Sequence, residues 1–203
     1  MRLCLTLAAL GLAAGGIAFL SSSAPVAPAV ATAADKYEID AVHSSVLFRA
    51  SHMGISHTWG RFDKFSGTLS YDAKDPAACS VRLEVESASV NTGDAGRDGH
   101  LGNNDFFNAK QFPKITFAST KVSAAGEGKL KVVGDLELLG VKKPVTLEIT
   151  KVGEGDFPMD GSHRIGFDTS FTIDRTEYGM KYATKPGTPD PVLLTISLEG
   201  IRK

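Results

Sequence analysis

Cys79-Ser80-Val81-Arg82-Leu83-Glu84-Val85-Glu86 decides the fold. Its odd positions are apolar and its even positions polar, the period of two that marks a half-buried strand. The same period extends in both directions. Upstream, Val46, Phe48, Ala50 and His52 alternate with Leu47, Arg49 and Ser51, and Phe65, Gly67, Leu69 and Tyr71 alternate with Ser66, Thr68 and Ser70. Downstream, the pattern predicts strands over 114–123, 128–139, 144–152, 164–174 and 192–201. Turn residues separate these eight runs, and no helical period lies between them, so neighbours are expected to pair antiparallel. Only residues 91–112 break the pattern, being polar and Gly-rich, then aromatic. Within them 98–109 reads as a short helix or ordered loop between strands three and four.

Eight strands with one apolar face each fit either a two-sheet sandwich or a closed barrel. A barrel removes exposed edges, and eight strands enclose enough room for one small ligand. Gly67, Gly134 and Gly166 sit inside strands, as the bends of a closed barrel require. With 203 residues and a net charge of −1, the chain carries no basic stripe of the kind that neutralises phosphates, which argues against nucleic acid as a partner. The start reads as an export signal. Met1-Arg2 is followed by an apolar run from Leu3 to Leu20 and a small-residue, Pro-rich stretch ending Ala31-Thr32-Ala33. The expected division is a signal peptide over 1–33, cleaved after Ala33 or Ala34, and one domain over 34–203. An uncleaved anchor is the alternative, since the run approaches the ~18 residues at which spanning begins. Cys79 is then the only cysteine of the mature chain, read as a small buried hydrophobe.

Four segments, taken together, resemble the YceI-like, polyisoprenoid-binding family. The first is Ile39-Asp40-Ala41-Val42-His43-Ser44-Ser45-Val46-Leu47-Phe48, continuing through Trp59-Gly60-Arg61-Phe62 to Phe65-Ser66-Gly67. The second runs from Thr92-Gly93 and Arg97-Asp98-Gly99-His100-Leu101 through Phe106-Phe107 to Phe112-Pro113-Lys114-Ile115-Thr116-Phe117. Gly134-Asp135-Leu136-Glu137-Leu138-Leu139-Gly140-Val141 with Pro144-Val145-Thr146-Leu147 is the third, and Gly166-Phe167 with Ile173-Asp174-Arg175-Thr176-Glu177-Tyr178-Gly179 the last. Glu137 stands where the family more often has Thr. The resemblance implies an all-β, eight-stranded antiparallel, lipocalin-like barrel with an elongated apolar tunnel. It also implies export to the periplasm or beyond, a long isoprenoid, quinone-type or similar amphiphilic guest, and a tendency to dimerise.

An isoprenoid tail offers only apolar surface and calls for a dry tube. Val46, Phe48, Leu69, Leu83, Phe117, Leu136, Phe167 and Phe171 are the expected tunnel lining, although the same residues would also fill a solid barrel core. Roughly ten buried methylenes, at about 0.8 kcal/mol each, reach the micromolar range before association costs. A polar head needs partners at the barrel mouth, for which His43, Arg97, Asp98, His100 and Arg175 are the candidates. A structural ion pair among Arg97, Asp98 and Arg175 is the alternative for those three. Trp59 and Phe106-Phe107 are candidates to gate the opening or to anchor the loop. His52-x-x-x-x-His57 matches no standard zinc spacing, and His52 is expected as a core histidine. No metal site and no cofactor other than the bound lipid is expected. The leading expectation is a binding protein, carrier or sequestering, with transient membrane contact and no catalysis. A lipid hydrolase or isomerase using the same pocket is the alternative, for which His43-Ser44-Ser45 puts a base beside hydroxyls in sequence, although adjacent strand residues face opposite ways.

Overall fold

The computed structural model describes residues 34–185, 187–188 and 190–203. The signal peptide expected over 1–33 lies outside the described residues.

Eleven strands form one antiparallel sheet, but six of them are halves of three. β1 (Asp35–Ile39) pairs with β11 (Pro191–Arg202) up to Ile39 opposite Gly200, and β2 (Ser45–His52) takes up the same edge at Ser45 opposite Ser197. Beside them, β4 (Phe65–Tyr71) pairs with β1 and β3 (Ser56–Phe62) with β2. β5 (Ser80–Glu86) then follows β4, and β6 (Val90–Asn91) follows β3. Each pair is one bent stave, interrupted at 40–44, 63–64 and a 3-10 turn over Ser87–Ser89. β7 (Lys114–Gly126), β8 (Lys129–Leu138), β9 (Val141–Asp156) and β10 (His163–Asp174) complete the circuit back to β11. The result is a closed, eight-staved antiparallel barrel: alternation points to the antiparallel strands and leaves a sandwich open, and the resemblance implies the closure. The sequence pattern found one half of each of the first two staves. It missed 35–39, which is too short to show a period, and 56–62, which is mostly polar and broken by Gly60.

The irregular stretch contains one short helix, α1 (Ala95–Leu101), so the helix begins and ends earlier than 98–109. The Asp94 side chain sets its start by accepting the Arg97 N–H at 2.8 Å. Beyond it the chain folds back, with Phe107 N–H donating to Leu101 O at 2.9 Å and Ala109 N–H to Gly102 O at 3.0 Å.

Register puts the inward residues in rows across the staves. Leu83, Phe117 and Leu136 lie abreast on β5, β7 and β8; Phe48, Leu194 and Phe171 do so on β2, β11 and β10. The end that carries the β4–β5, β7–β8 and β9–β10 turns is largely filled by Tyr37, Leu69, Val122, Val132, Ile165 and Phe167, with Ile165 only 1% exposed. Cys79 is buried beside it, just before β5, where burial pushes its thiol pKa up. Two of the rings, Phe48 and Phe117, lie flat against the wall over glycines of the neighbouring stave. A Cβ on Gly134 would lie 2.4 Å from Phe117 Cζ and 2.7 Å from the Ala118 carbonyl oxygen, and one on Gly60 2.2 Å from Phe48 Cζ. Gly166 instead sits at a register shift against β9, a bulge that bends the stave.

Outside the barrel, Arg164 ties the break at 40–44 to the wall. Its Nη1 donates to Asp40 Oδ2 at 2.8 Å and Glu199 Oε1 at 2.6 Å, and its guanidinium lies 4.1 Å from the Phe157 ring centre. Asp40 also accepts from His43 Nδ1 at 2.8 Å. That bond is the main cause holding the Asp40 carboxyl below the usual carboxylate range; burial opposes it, and the Val42 N–H and Arg164 add to it.

Gly134→Ala is expected to cost about 2 kcal/mol, because Phe117 and the β7 backbone must move. Gly153→Ala, with nothing within 4 Å of the new Cβ, should stay within about 0.5 kcal/mol of the parent in urea unfolding. Equal effects at the two positions would contradict the close packing described. A depressed folded pKa stabilises the fold above the unfolded value of about 3.9 and loses that contribution as pH falls below it. The stability gap between the parent and Asp40→Asn should therefore narrow between pH ~5 and ~2.

Candidate ligand cavity and its mouth

Above the packed end the barrel is hollow. A cavity of about 610 Å³ opens at the end that carries the β2–β3, β8–β9 and β10–β11 connections and α1. Such a volume falls within the range of small-molecule sites. Its depths are walled by aliphatic and aromatic groups, among them Leu83, Phe117, Leu136, Leu147 and Ile149. Alternation brings these side chains inward, while the hydrogen-bonded staves hold the walls apart. Of the eight residues expected to line a tunnel, Val46, Phe48, Leu83, Phe117, Leu136 and Phe171 line this cavity. Leu69 and Phe167 do not. They border a separate space of about 40 Å³ in the packed end, because alternation sets the face of a residue but not its height along the barrel.

Charged groups gather at the mouth, while deeper in the cavity Thr169 turns its hydroxyl to the Glu148 carbonyl oxygen at 2.8 Å. Arg175 begins the turn that follows β10, where Asp174 Oδ1 accepts from the N–H groups of Thr176 and Asp190 and from Thr176 Oγ1. The closing motif of the sequence, Asp174 to Gly179, is thus a capped turn, and Gly179 ends it at φ 88°. Arg175 Nη2 donates to Asp190 Oδ2 at 2.8 Å and to Tyr182 O at 3.0 Å, and the guanidinium lies 5.6 Å from the Phe106 ring centre. Its Nη1 is the one fully buried side-chain nitrogen or oxygen without a hydrogen-bond partner among the described residues. A buried donor left unpaired is costly, and here it belongs to a cation at the neck of an apolar cavity. His100 stands beside it, in edge contact with Phe106 and Tyr182 at 5.0 Å each, its Nε2 2.9 Å from Asp105 Oδ2.

The other mouth candidates fall differently. Arg97 reaches the rim, but its Nε and Nη2 are taken by Thr92 Oγ1 and O at 2.7 and 3.0 Å. Asp98 faces away from the cavity and accepts from Thr92 N–H and Oγ1, which fixes the turn before α1. No ion pair links Arg97, Asp98 and Arg175; the partner of Arg175 is Asp190. His43 is not at the mouth. It sits on the outer surface with Asp40 and Arg164, near the packed end, because residues 40–44 form the break between β1 and β2. Neighbouring Ser44 Oγ accepts the Glu199 N–H there, so the His43–Ser44 pair lies away from the cavity. Asp40, His43 and Glu199 do bring possible ligand atoms within 4.8 Å of one another. Arg164 already supplies the positive charge between the two carboxylates. His52 is exposed at the end of β2 and is not a core histidine. Trp59 points outward, 54% exposed, whereas Phe107 is buried against Phe48 and Phe62 and anchors the loop.

Three further mouth residues, Tyr182, Asp190 and Met53, escaped the sequence reading. They lie in loops, where no periodicity exists to point at them.

The sequence profile of the YceI-like domain matches residues 37–200. A UPF0312 protein of Shewanella sp. (strain ANA-3) is 40% identical over 92% of this chain and 97% of its own length. One from Shewanella putrefaciens is 42% identical over 88% and 93%. Among solved structures, BcnA of Burkholderia cenocepacia superposes with a TM-score of 0.71 at 26% identity, covering 79% of this chain and 98% of that one. The Campylobacter jejuni YCEI protein gives 0.67 at 30% identity, covering 75% and 90%. A polyisoprenoid binding domain from Saccharophagus degradans shares the fold, with a TM-score of 0.62 at 20% identity over 82% and 98%. Profile, relatives and fold span the same closed barrel, and on that ground the chain belongs to the YceI-like family.

Proposed function

We propose that this protein binds a long-chain amphiphile, an isoprenoid lipid or quinone, with the tail inside the barrel and the polar head at Arg175 and His100. The observation that carries this reading is the division of the interior into a packed end, a largely apolar cavity and a single charged neck. Tail burial supplies affinity without directional bonds, at about 0.8 kcal/mol per methylene. The unpaired Nη1 of Arg175 offers a charged donor for a head-group oxygen, and a donor desolvated in advance binds more strongly than one in water. The Saccharophagus domain, described as polyisoprenoid-binding, gives the same fold a guest of this class. The signal peptide expected over 1–33 supports export, which would set this carrier or sequestering protein in the periplasm or outside the cell.

Native mass spectrometry with organic extraction is the direct measurement, and a prenylated species is the expected find. An extract free of lipid, with no uptake of added prenyl chains, would falsify the reading. Thr169→Trp, which fills the cavity midway, should weaken tail binding at least about tenfold, the equivalent of roughly two lost methylenes. Arg175→Met should weaken binding of a prenyl diphosphate by about 10- to 100-fold while leaving a prenyl hydrocarbon within about threefold. Equal losses for both guests would place the head group elsewhere.

A further inference from the structure

One lip of the mouth has a composition that neither the cavity nor the barrel wall requires. β2 and β3 are joined by Met53-Gly54-Ile55, with the Ile55 N–H donating to His52 O at 3.0 Å. Met53 and Ile55 are each 83% exposed, and Met53 also borders the cavity opening. Met53 and Gly54 take φ 55° and 72°, the left-handed pair used by tight hairpin turns. Glycine or asparagine adopts that backbone readily and would be soluble there, whereas methionine is disfavoured on both counts. Near its tip the ribbon carries basic groups only. Arg49, His52 and His57 have no carboxylate among them over 49–60, whereas Arg61, farther from the tip, pairs with Asp63 Oδ1 at 2.6 Å. Trp59 lies on its outer face with the Arg49 guanidinium 5.6 Å from the ring centre. From Ser56 to Gly60, β3 pairs with β2 alone among the described residues, so the ribbon forms an open lip. Across the mouth, Lys181 and Lys185 stand exposed on the loop that carries Tyr182.

An apolar tip, a cationic flank and an outward tryptophan a few residues back are the chemistry of a bilayer interface. Trp59 lies four residues beyond Ile55, about 13 Å along the strand. A tip buried by roughly 5–10 Å would therefore leave Trp59 and Arg49 among the headgroups. We propose that the β2–β3 tip docks the barrel's mouth onto an anionic phospholipid surface, with Met53 and Ile55 inserted below the headgroups. Such docking rests on the lipid-binding reading above, since its use is to let a tail pass from bilayer to cavity without crossing water. No helix among the described residues is long and apolar enough to cross a membrane, and the contact proposed is peripheral.

Trp59 is the only tryptophan in the chain, so its fluorescence reports on the lip directly. The full chain is titrated with vesicles of phosphatidylcholine alone, or mixed with phosphatidylglycerol, each carrying brominated acyl chains. Mixed vesicles should quench Trp59 and shift its emission to the blue, less so as salt is raised. Met53→Ser combined with Ile55→Ser should weaken that partitioning at least about tenfold, and Met53→Leu with Ile55→Leu should keep it. Any contribution of residues 1–33 is common to all these variants. Undiminished quenching of the double serine variant overturns the proposal. So does a Trp59 shift that grows with protein concentration in the absence of vesicles, which would mean that a second copy covers the open edge of β3. Uptake of a prenyl chain is measured in parallel. Uptake retained with quenching absent sinks the docking alone, whereas quenching retained with uptake absent supports docking and sinks the carrier reading.

Discussion

The whole barrel hangs on one strand edge being used twice. β11 has a single free side, and β2 and β1 share it end to end, so the sheet meets itself and leaves Ser56–Gly60 of β3 as an open edge at the mouth. Closure in this way removes most of the exposed edge that makes open sheets prone to pair with other chains. It also requires the chain to leave the wall between Ile39 and Ser45 without pulling the two halves out of line. The Arg164 cluster meets that need from outside, pinning Asp40 and Glu199 across the gap. His43 and Ser44 serve the same joint, which gives those residues of the first motif a structural role.

A closed wall makes a hollow interior tolerable. Unfilled apolar space forfeits dispersion contacts, and in a bundle or sandwich the elements would slide together to recover them. Here the staves are held in a ring by backbone hydrogen bonds and cannot approach one another. The packed end supplies much of the core, with Tyr37, Val132 and Ile165 almost wholly buried. Glycines at 60 and 134 let Phe48 and Phe117 lie against the wall and leave the centre open.

Much of this was legible in the residues. Alternation gave the inward face of nearly every stave, and six of the eight proposed lining residues border the cavity. What alternation lacks is a coordinate along the axis, which is why Leu69 and Phe167 fall in the packed end. The polar mouth was harder to read for a related reason. Arg175 stands out in its motif, but its partner Asp190 lies across an irregular loop, where spacing carries no information. His43 misled because closeness in a motif is not closeness at a mouth. The lip at Met53 was invisible in the same way, since a two-sided pattern says nothing about which turn meets solvent and which meets a partner.

The packed end has one more consequence. A tube open at both ends could hand its contents forward, but this barrel is a scabbard. On the function proposed above, a guest that slid in tail-first would come out head-first, by the way it entered, without reversing. A receiver would therefore grip the guest by the polar end that the barrel leaves within reach. Direction of travel would then belong to whichever site holds that end more firmly, and the protein itself would be indifferent to it.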